Sequence, residues 1–237
     1  MTPCPKSSIS STIRKKCEEP FLLQKPMILD VHTHTLPSQP RTAIVSANLD
    51  SWKPQPDHWY ALGIHPWNIV ENGEEQLRQL RTLLLSDTSE QIRMVGEMGL
   101  DKMRGPAMDV QRSVFIEQLK IALSIGKNPV IHDVHCMAEI LAIRRELRYT
   151  QPWLIHGFRG GPEQARQYLR AGCHVSLGPR FRLDTLLSLP FDELFLESDD
   201  QPEKLKRLYD DVSQQLNMPI QELEQQVNDN VLHLLNN

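Results

Sequence analysis

The chain has no cysteine pair at a metal-finger or disulfide spacing. Its four cysteines stand apart at Cys4, Cys17, Cys136 and Cys173. A zinc finger and a disulfide framework are thereby excluded as organising devices, and a reduced, cytoplasmic setting is the expectation. The sequence also lacks any apolar run near the ~18 residues that a membrane-spanning helix needs. Positive charge is not in excess: 26 Lys and Arg face 30 Asp and Glu, for a net charge of −4. Proteins that coat duplex nucleic acid are usually basic, so that class is set aside. An enzyme that touches a few phosphates through metal ions is not excluded. No internal repeat, low-complexity tract or secretory apolar core is found.

The patterned part begins at Met27. Before it, residues 1–26 carry Ser7-Ser8-Ile9-Ser10-Ser11-Thr12, a basic Arg14-Lys15-Lys16 and an acidic Glu18-Glu19. They read as an N-terminal appendage, and 27–237 as one domain of a size common among α/β barrels. Short apolar runs predict strands over 27–31, 42–47, 59–64, 92–96, 128–131, 152–155, 173–177 and 193–197. Helices are predicted over 73–86, 108–125, 135–148, 162–171, 182–188, 202–216 and 219–235. The clearest apolar stripe is Val110, Val114, Phe115, Leu119, Ile121 and Leu123. Pro162, Pro202 and Pro219 suit the first turns of their helices.

Strands alternating with helices imply a parallel sheet, and eight of them imply a TIM-like (β/α)8 barrel. The first links are too short for the usual pattern. Only Thr35 to Arg41 joins the first two strands, and a helical crossover needs a dozen residues or so. An extended return is feasible, since such a segment reaches up to ~23 Å. The second link, 48–58, carries Pro54 and Pro56 and reads as loop. The outer helices between the first three strands are therefore expected to be missing. Their loss should expose apolar surface for the appendage or a second subunit to cover.

The chemistry lies in the residue after each apolar run. His32 and His34 are two apart, so on a strand they share a face and can converge. Ile64 leads to His65, Gly96 to Glu97, Ile131 to His132, Ile155 to His156 and Ser198 to Asp199. These are carboxyl ends of predicted parallel strands, which in a barrel face one rim, where barrel active sites lie. Neutral imidazoles with carboxylates suit Zn²⁺, Mn²⁺ or Mg²⁺. There are ligands for two ions. Glu97, on a mid-barrel strand, is the expected bridge. One ion would take His32, His34, Glu97 and Asp199; the other would take Glu97, His132 and His156. Such a pair activates water and stabilises a leaving oxygen, with Asp199 placed to accept the proton. Glu197 is expected to orient a ligand from behind. Lys102, Arg159 and Arg180 are candidates to meet substrate phosphates. The glycine-rich 157–161 turn opens a helix whose amides could receive an anion.

Taken in order, these residues resemble the TatD family of metal-dependent deoxyribonucleases, within the amidohydrolase-like barrels. The carrying motifs are Asp30-Val31-His32-Thr33-His34, Gly63-Ile64-His65-Pro66-Trp67, Gly96-Glu97-Met98-Gly99-Leu100-Asp101, Ile131-His132, His156-Gly157-Phe158-Arg159-Gly160 and Leu196-Glu197-Ser198-Asp199. The likeness runs from about 27 to 235, and Asn230 fits the family's last helix. It implies a TIM-like barrel, a two-metal centre and phosphodiester hydrolysis at DNA ends. Position by position, it puts metal ligands on His32, His34, Glu97, His132, His156 and Asp199, and a catalytic or substrate-contacting role on His65. Glutamate at position 97, where many amidohydrolase-like barrels have a carboxylated lysine, favours the TatD-like branch.

The sequence departs from that pattern in places. Asp133 and Val134 follow His132 where the family has Ser or Cys and then Arg. Arg159 replaces a small or hydroxyl residue, and Lys102 an aromatic. The expected activity is thus a divalent-metal-dependent hydrolase of TatD type, acting on DNA ends or a small phosphoester and requiring no membrane. Two other readings are carried: a metal-dependent hydrolase of another ester or amide, and a catalytically weak binding or scaffold barrel. The oligomeric state is open.

Overall fold

The computed structural model describes residues 27, 29–86 and 90–236. The expected appendage, 1–26, lies outside the described residues. Eight strands follow one another around a single parallel sheet in sequence order. They are β1 (Asp30–Thr33), β2 (Ala43–Asn48), β3 (Trp59–Gly63), β4 (Ile92–Asp101), β5 (Pro129–Val134), β6 (Trp153–Ile155), β7 (Cys173–Leu177) and β8 (Leu194–Leu196). The circle closes at the rim, where Asp199 N–H donates to His32 O and His34 N–H donates to Asp199 O, both at 3.0 Å. The expected (β/α)8 barrel is what the chain forms.

The helices are α1 (Glu74–Leu84), α2 (Met108–Ser124), α3 (Met137–Glu146), α4 (Pro162–Arg170), α5 (Leu183–Leu186), α6 (Leu205–Leu216) and α7 (Ile220–Asn236). Among the described residues no helix joins β1 to β2, and one 3-10 turn, Leu49–Ser51, lies between β2 and β3. The expected loss of outer helices is therefore present. Part of the uncovered face is closed by the loop itself, since Trp52 packs edge-on against Tyr60 at 5.1 Å between ring centres. His58 ties the extended return in place, with one ring nitrogen 2.9 Å from Pro56 O and the other 3.1 Å from Pro37 O.

Two expected boundaries move. β1 starts at Asp30 rather than 27, so His32 lies inside the strand and is fully buried. β4 runs five residues past its expected end of 96, through Glu97 to Asp101. Two glycines and an acid read as a loop, yet Met98 and Leu100 alternate with Glu97 and Asp101 in strand fashion. The glycines are what allow the strand. A side chain on Gly96 (φ +152°) would put its Cβ 2.6 Å from Val130 O, and one on Gly99 (φ +154°) 2.1 Å from His132 O. The β4–β5 register slips between Val95 and Met98, a bulge that re-aims the side chain of Glu97.

α2 braces the rim through polar groups on its buried face. Gln118 bonds both the N–H and the C=O of Ile64, at 2.7 and 3.0 Å. Gln111, two helical turns earlier, does the same for Asp101, at 2.8 and 3.0 Å. These amides fix the exits of β3 and β4. Leu123, counted in the predicted stripe, is instead 41% exposed.

Candidate active site

Five imidazoles surround one carboxylate. Glu97 is 4% exposed. Its Oε1 lies 2.7 Å from His156 Nε2, 2.8 Å from His132 Nδ1 and 3.1 Å from His65 Nε2. Its Oε2 lies 3.3 Å from His32 Nε2 and 3.5 Å from His34 Nε2. The two oxygens are thus shared between two groups of rings. His34 Nε2 also sits 3.4 Å from Asp199 Oδ1. Three sets of donor atoms converge tightly enough to hold an ion: His32, His34 and Glu97; His32, His156 and Asp199; and His65, Glu97 and His132.

Each side chain is aimed by its strand. His32 and His34 share a face across the end of β1, as their spacing implied. Asp199 takes a left-handed conformation (φ +55°) just past β8, which turns its carboxylate over the rim. Aspartate tolerates that region better than most residues. Ser198 holds this turn against β1, giving its N–H to Asp30 Oδ1 at 2.9 Å and its hydroxyl to Asp30 Oδ2 at 2.6 Å. Burial pushes the Asp30 carboxyl up to about 7.

Behind the inner ring stands a second set of acids. His156 Nδ1 lies 3.5 Å from Glu197 Oε1, and Glu197 Oε2 accepts the Ser176 hydroxyl. His132 Nε2 lies 3.3 Å from Asp101 Oδ2. That same oxygen accepts the Trp67 indole N–H at 2.6 Å. Glu197 was expected in such a place. Asp30, Asp101 and Trp67 were not singled out for it, although Asp30 is two residues before His32 and Asp101 four after Glu97, both on the inward face of their strands.

The electrostatics favour a cation. Burial opposes the charge on Glu97, but His156, His132 and His32 outweigh it and hold the carboxyl well below its ordinary range. Asp199 is likewise raised by burial, yet its bond to His34 and the nearby His156 and His32 bring it down to about 2. His156 is buried, which lowers it, but Glu97 and Glu197 draw it well above the ordinary imidazole value. His34 is pushed up to about 9 by its bonds to Asp199 and Glu97. Burial lowers His32 and His65. The cluster therefore draws positive charge toward Glu97 and Asp199.

Several atoms here are also left without a hydrogen bond. Both ring nitrogens of His32, Glu97 Oε2, His156 Nδ1 and Glu197 Oε1 are buried with no hydrogen-bond partner. His32 Nε2 is near Glu97 without being aligned to bond it. Buried polar atoms without partners are costly, and a bound cation would satisfy the inward-facing ones.

Two chambers open over the cluster. The smaller, about 310 Å³, is lined by Ser46, Asn48, His65, Trp67 and Asn68 beside the ring. The larger, about 650 Å³, reaches past His156 to Arg159 and Arg180. Arg159 and Arg180 thus share the groove of the expected site. Lys102 does not: it is exposed after β4 and lines neither chamber. Its backbone N–H continues the sheet by donating to Val134 O at 3.1 Å, and the turn that follows carries it outside the groove.

The family model described as TatD related DNase matches residues 28–236. An uncharacterized metal-dependent hydrolase of Bacillus subtilis, YabD, is 26% identical over 149 residues, 59% of this chain and 57% of that protein. The Deoxyribonuclease Tat-D of Schizosaccharomyces pombe is 28% identical over 155 residues, 58% of this chain and 49% of that protein. The matched region therefore spans about half the length of these curated relatives. YJJV, a TatD homolog from Escherichia coli K12, shares the fold with a TM-score of 0.75 at 23% identity, covering 90% of this chain and 99% of that one.

Proposed function

The chain belongs to the TatD related DNase family, and on that premise we propose that it is a divalent-metal-dependent phosphodiesterase acting on DNA ends. The observation that carries this reading is the division of Glu97 between two groups of imidazoles. The likeness to the fission-yeast deoxyribonuclease supports the choice of substrate.

Hydrogen bonding sorts the histidines by role. His156 turns Nδ1 toward Glu197 at 3.5 Å and Nε2 toward Glu97, so a ring holding an ion through Nε2 would keep its proton on Nδ1, facing Glu197. His132 turns Nε2 toward Asp101, which leaves its Nδ1 lone pair facing the same point. Both are arranged as ligands. His65 is arranged the other way. Its Nδ1 accepts the Trp67 backbone N–H at 3.1 Å, so the neutral ring carries its proton on Nε2, 3.1 Å from Glu97 Oε1. His65 is a donor into the site.

On this reading His32, His34, Glu97 and Asp199 would hold one ion, and Glu97, His132 and His156 the other. Two divalent ions there, Mg²⁺, Mn²⁺ or Zn²⁺, would polarise the phosphodiester and activate water. The chain's own groups do the rest. Asp199, ionised and 24% exposed at its side chain, accepts the proton of the attacking water. His65 Nε2–H donates to a phosphoryl oxygen as charge builds on it. Arg159 meets substrate from the groove wall. Cys136 and Cys173 are free and buried.

The test is hydrolysis of single-stranded DNA and of bis(4-nitrophenyl) phosphate after chelation and after return of Mg²⁺, Mn²⁺ or Zn²⁺. Cleavage from the ends of DNA that disappears on chelation and returns with metal is the expected result. Turnover of carboxylic esters with both phosphodiesters untouched would overturn it.

A further inference from the structure

The two chambers over Glu97 differ in charge as well as size. Beyond the ring of ligands and the acids Asp199 and Asp200, which both chambers share, the smaller is lined by Ser46, Asn48, Asn68 and Trp67 and holds no arginine or lysine. Trp67 is held rigidly there, its N–H on Asp101 and Arg104 stacked on its ring at 3.9 Å. The larger chamber carries Arg159 and Arg180, one from the exit of β6 and one from the exit of β7. These two arginines also flank Asp199 in a narrow cleft between Gly157 and Pro179.

Their state of pairing sets them apart from their neighbours. Between positions 159 and 184, Arg166 and Arg170 pair with Glu163, and Arg182 pairs with Asp184. Arg159 and Arg180 form no ion pair among the described residues. Of the acids that share their chamber, Asp199 faces His34, and the other two are bonded elsewhere. Asp133 accepts the Cys136 N–H and the Tyr168 hydroxyl, at 2.8 and 2.6 Å, and Asp200 accepts the Gln201 amide at 3.0 Å. Two uncommitted guanidiniums facing one cavity form a ready receptor for a phosphate.

We infer that the substrate lies across Glu97 with a second phosphate, beyond the one being cleaved, held between Arg159 and Arg180, and with an uncharged nucleoside in the smaller chamber. This rests on the phosphodiesterase reading and narrows it. The enzyme selects diesters that carry an additional negative charge on one side of the scissile bond. The side whose lining holds no arginine or lysine receives the base and sugar.

The test uses the full chain loaded with metal and four substrates. They are bis(4-nitrophenyl) phosphate, a thymidine dinucleotide without terminal phosphate, and the same dinucleotide phosphorylated at its 5′ or its 3′ end. The expected result is a KM about tenfold or more lower for one phosphorylated dinucleotide than for the unphosphorylated one, the size of a charge-assisted contact. That preference should shrink as salt is raised. In Arg159→Gln/Arg180→Gln it should collapse to near unity, with metal content and circular dichroism as for the wild type. A wild-type enzyme with no such preference, or a preference that survives in the folded double variant, overturns the inference and leaves phosphodiester cleavage standing. No turnover of any of the four by the wild type overturns both. The wild-type comparison is decisive even if the double variant does not fold.

Discussion

The two ends of the barrel both bury charged groups, but only one end gathers them. At the amino-terminal end Arg144 donates to the carbonyls of Ala171, Gln151 and Gly172 at 2.5, 2.8 and 2.9 Å, knitting the starts of β6 and β7. His174 pairs with Glu193, and Asn230 bonds Phe191 O and Leu194 O under β8. That end also has a cavity of about 700 Å³, bounded in part by Arg41, Arg93 and Lys127. Yet Arg41 pairs with Asp57, Arg93 stacks on Trp59, and Lys127 donates to Ile92 O. At the carboxyl-terminal rim the ionisable groups point at one another. Cavity size does not separate the two ends. The partners do: below, each charge has its own carbonyl, ring or acid, while above, five rings and two acids share one point.

The contrast makes its strongest claim at Glu97. Replacing it with alanine removes the one group that faces all five rings, and turnover should fall about 10³-fold or more, some 4 kcal/mol of barrier. Circular dichroism should be unchanged, because the side chain is held by the site and contributes little to apolar packing. Bound metal measured by elemental analysis should fall with activity. Loss of the fold in Glu97→Ala would mean that the rim, like the base, is structural.

That division was partly legible before the fold was known. The strand-end histidines and acids came from reading which residue follows each apolar run, because a parallel barrel sends every carboxyl end to the same rim. His32, His34, His65, Glu97, His132, His156 and Asp199 all meet there. What could not be read was which ring nitrogen faces inward. That depends on Asp101, Glu197 and the Trp67 amide, whose distances to the rings follow from register and bulge rather than spacing. The polar groups of the base were hidden for a related reason. Arg144 and Asn230 lie on helix faces, and their partners are backbone carbonyls, which leave no mark in the sequence. The extension of β4 was disguised by Gly96 and Gly99, residues that usually end a strand and here permit one.

Arg144 sharpens the other half of the comparison. It is 6% exposed, has no carboxylate partner among the described residues, and lies over Trp153 at 4.9 Å. Arg144→Met keeps much of the stem but leaves three carbonyls unpaired, which should cost about 3 kcal/mol of stability in urea unfolding. Turnover per folded molecule should stay at the wild-type level, since no atom of Arg144 reaches the rim. A variant as stable as the wild type, or one that folds fully yet is inactive, would break the proposed separation of the two ends.

The finest test lies at the boundary between the two kinds of burial, in Glu197. It is fully buried, as a structural residue would be, but it faces the back of a ring in the site. If its work is to set the tautomer of His156, Glu197→Gln keeps the shape and weakens the hold on the Nδ1 proton. Metal affinity should then fall about tenfold, the low end for groups standing behind a ligand, while turnover at saturating metal changes less. Stability of the metal-free protein should also fall, because buried His156 loses one of the two carboxylates that favour its charge. Calorimetric titration with Zn²⁺ or Mn²⁺, set beside unfolding in chelator, reads both quantities. Unchanged metal affinity with lowered stability would place Glu197 with Arg144 rather than with Glu97, and the line between the two ends would have to be drawn one residue higher on β8.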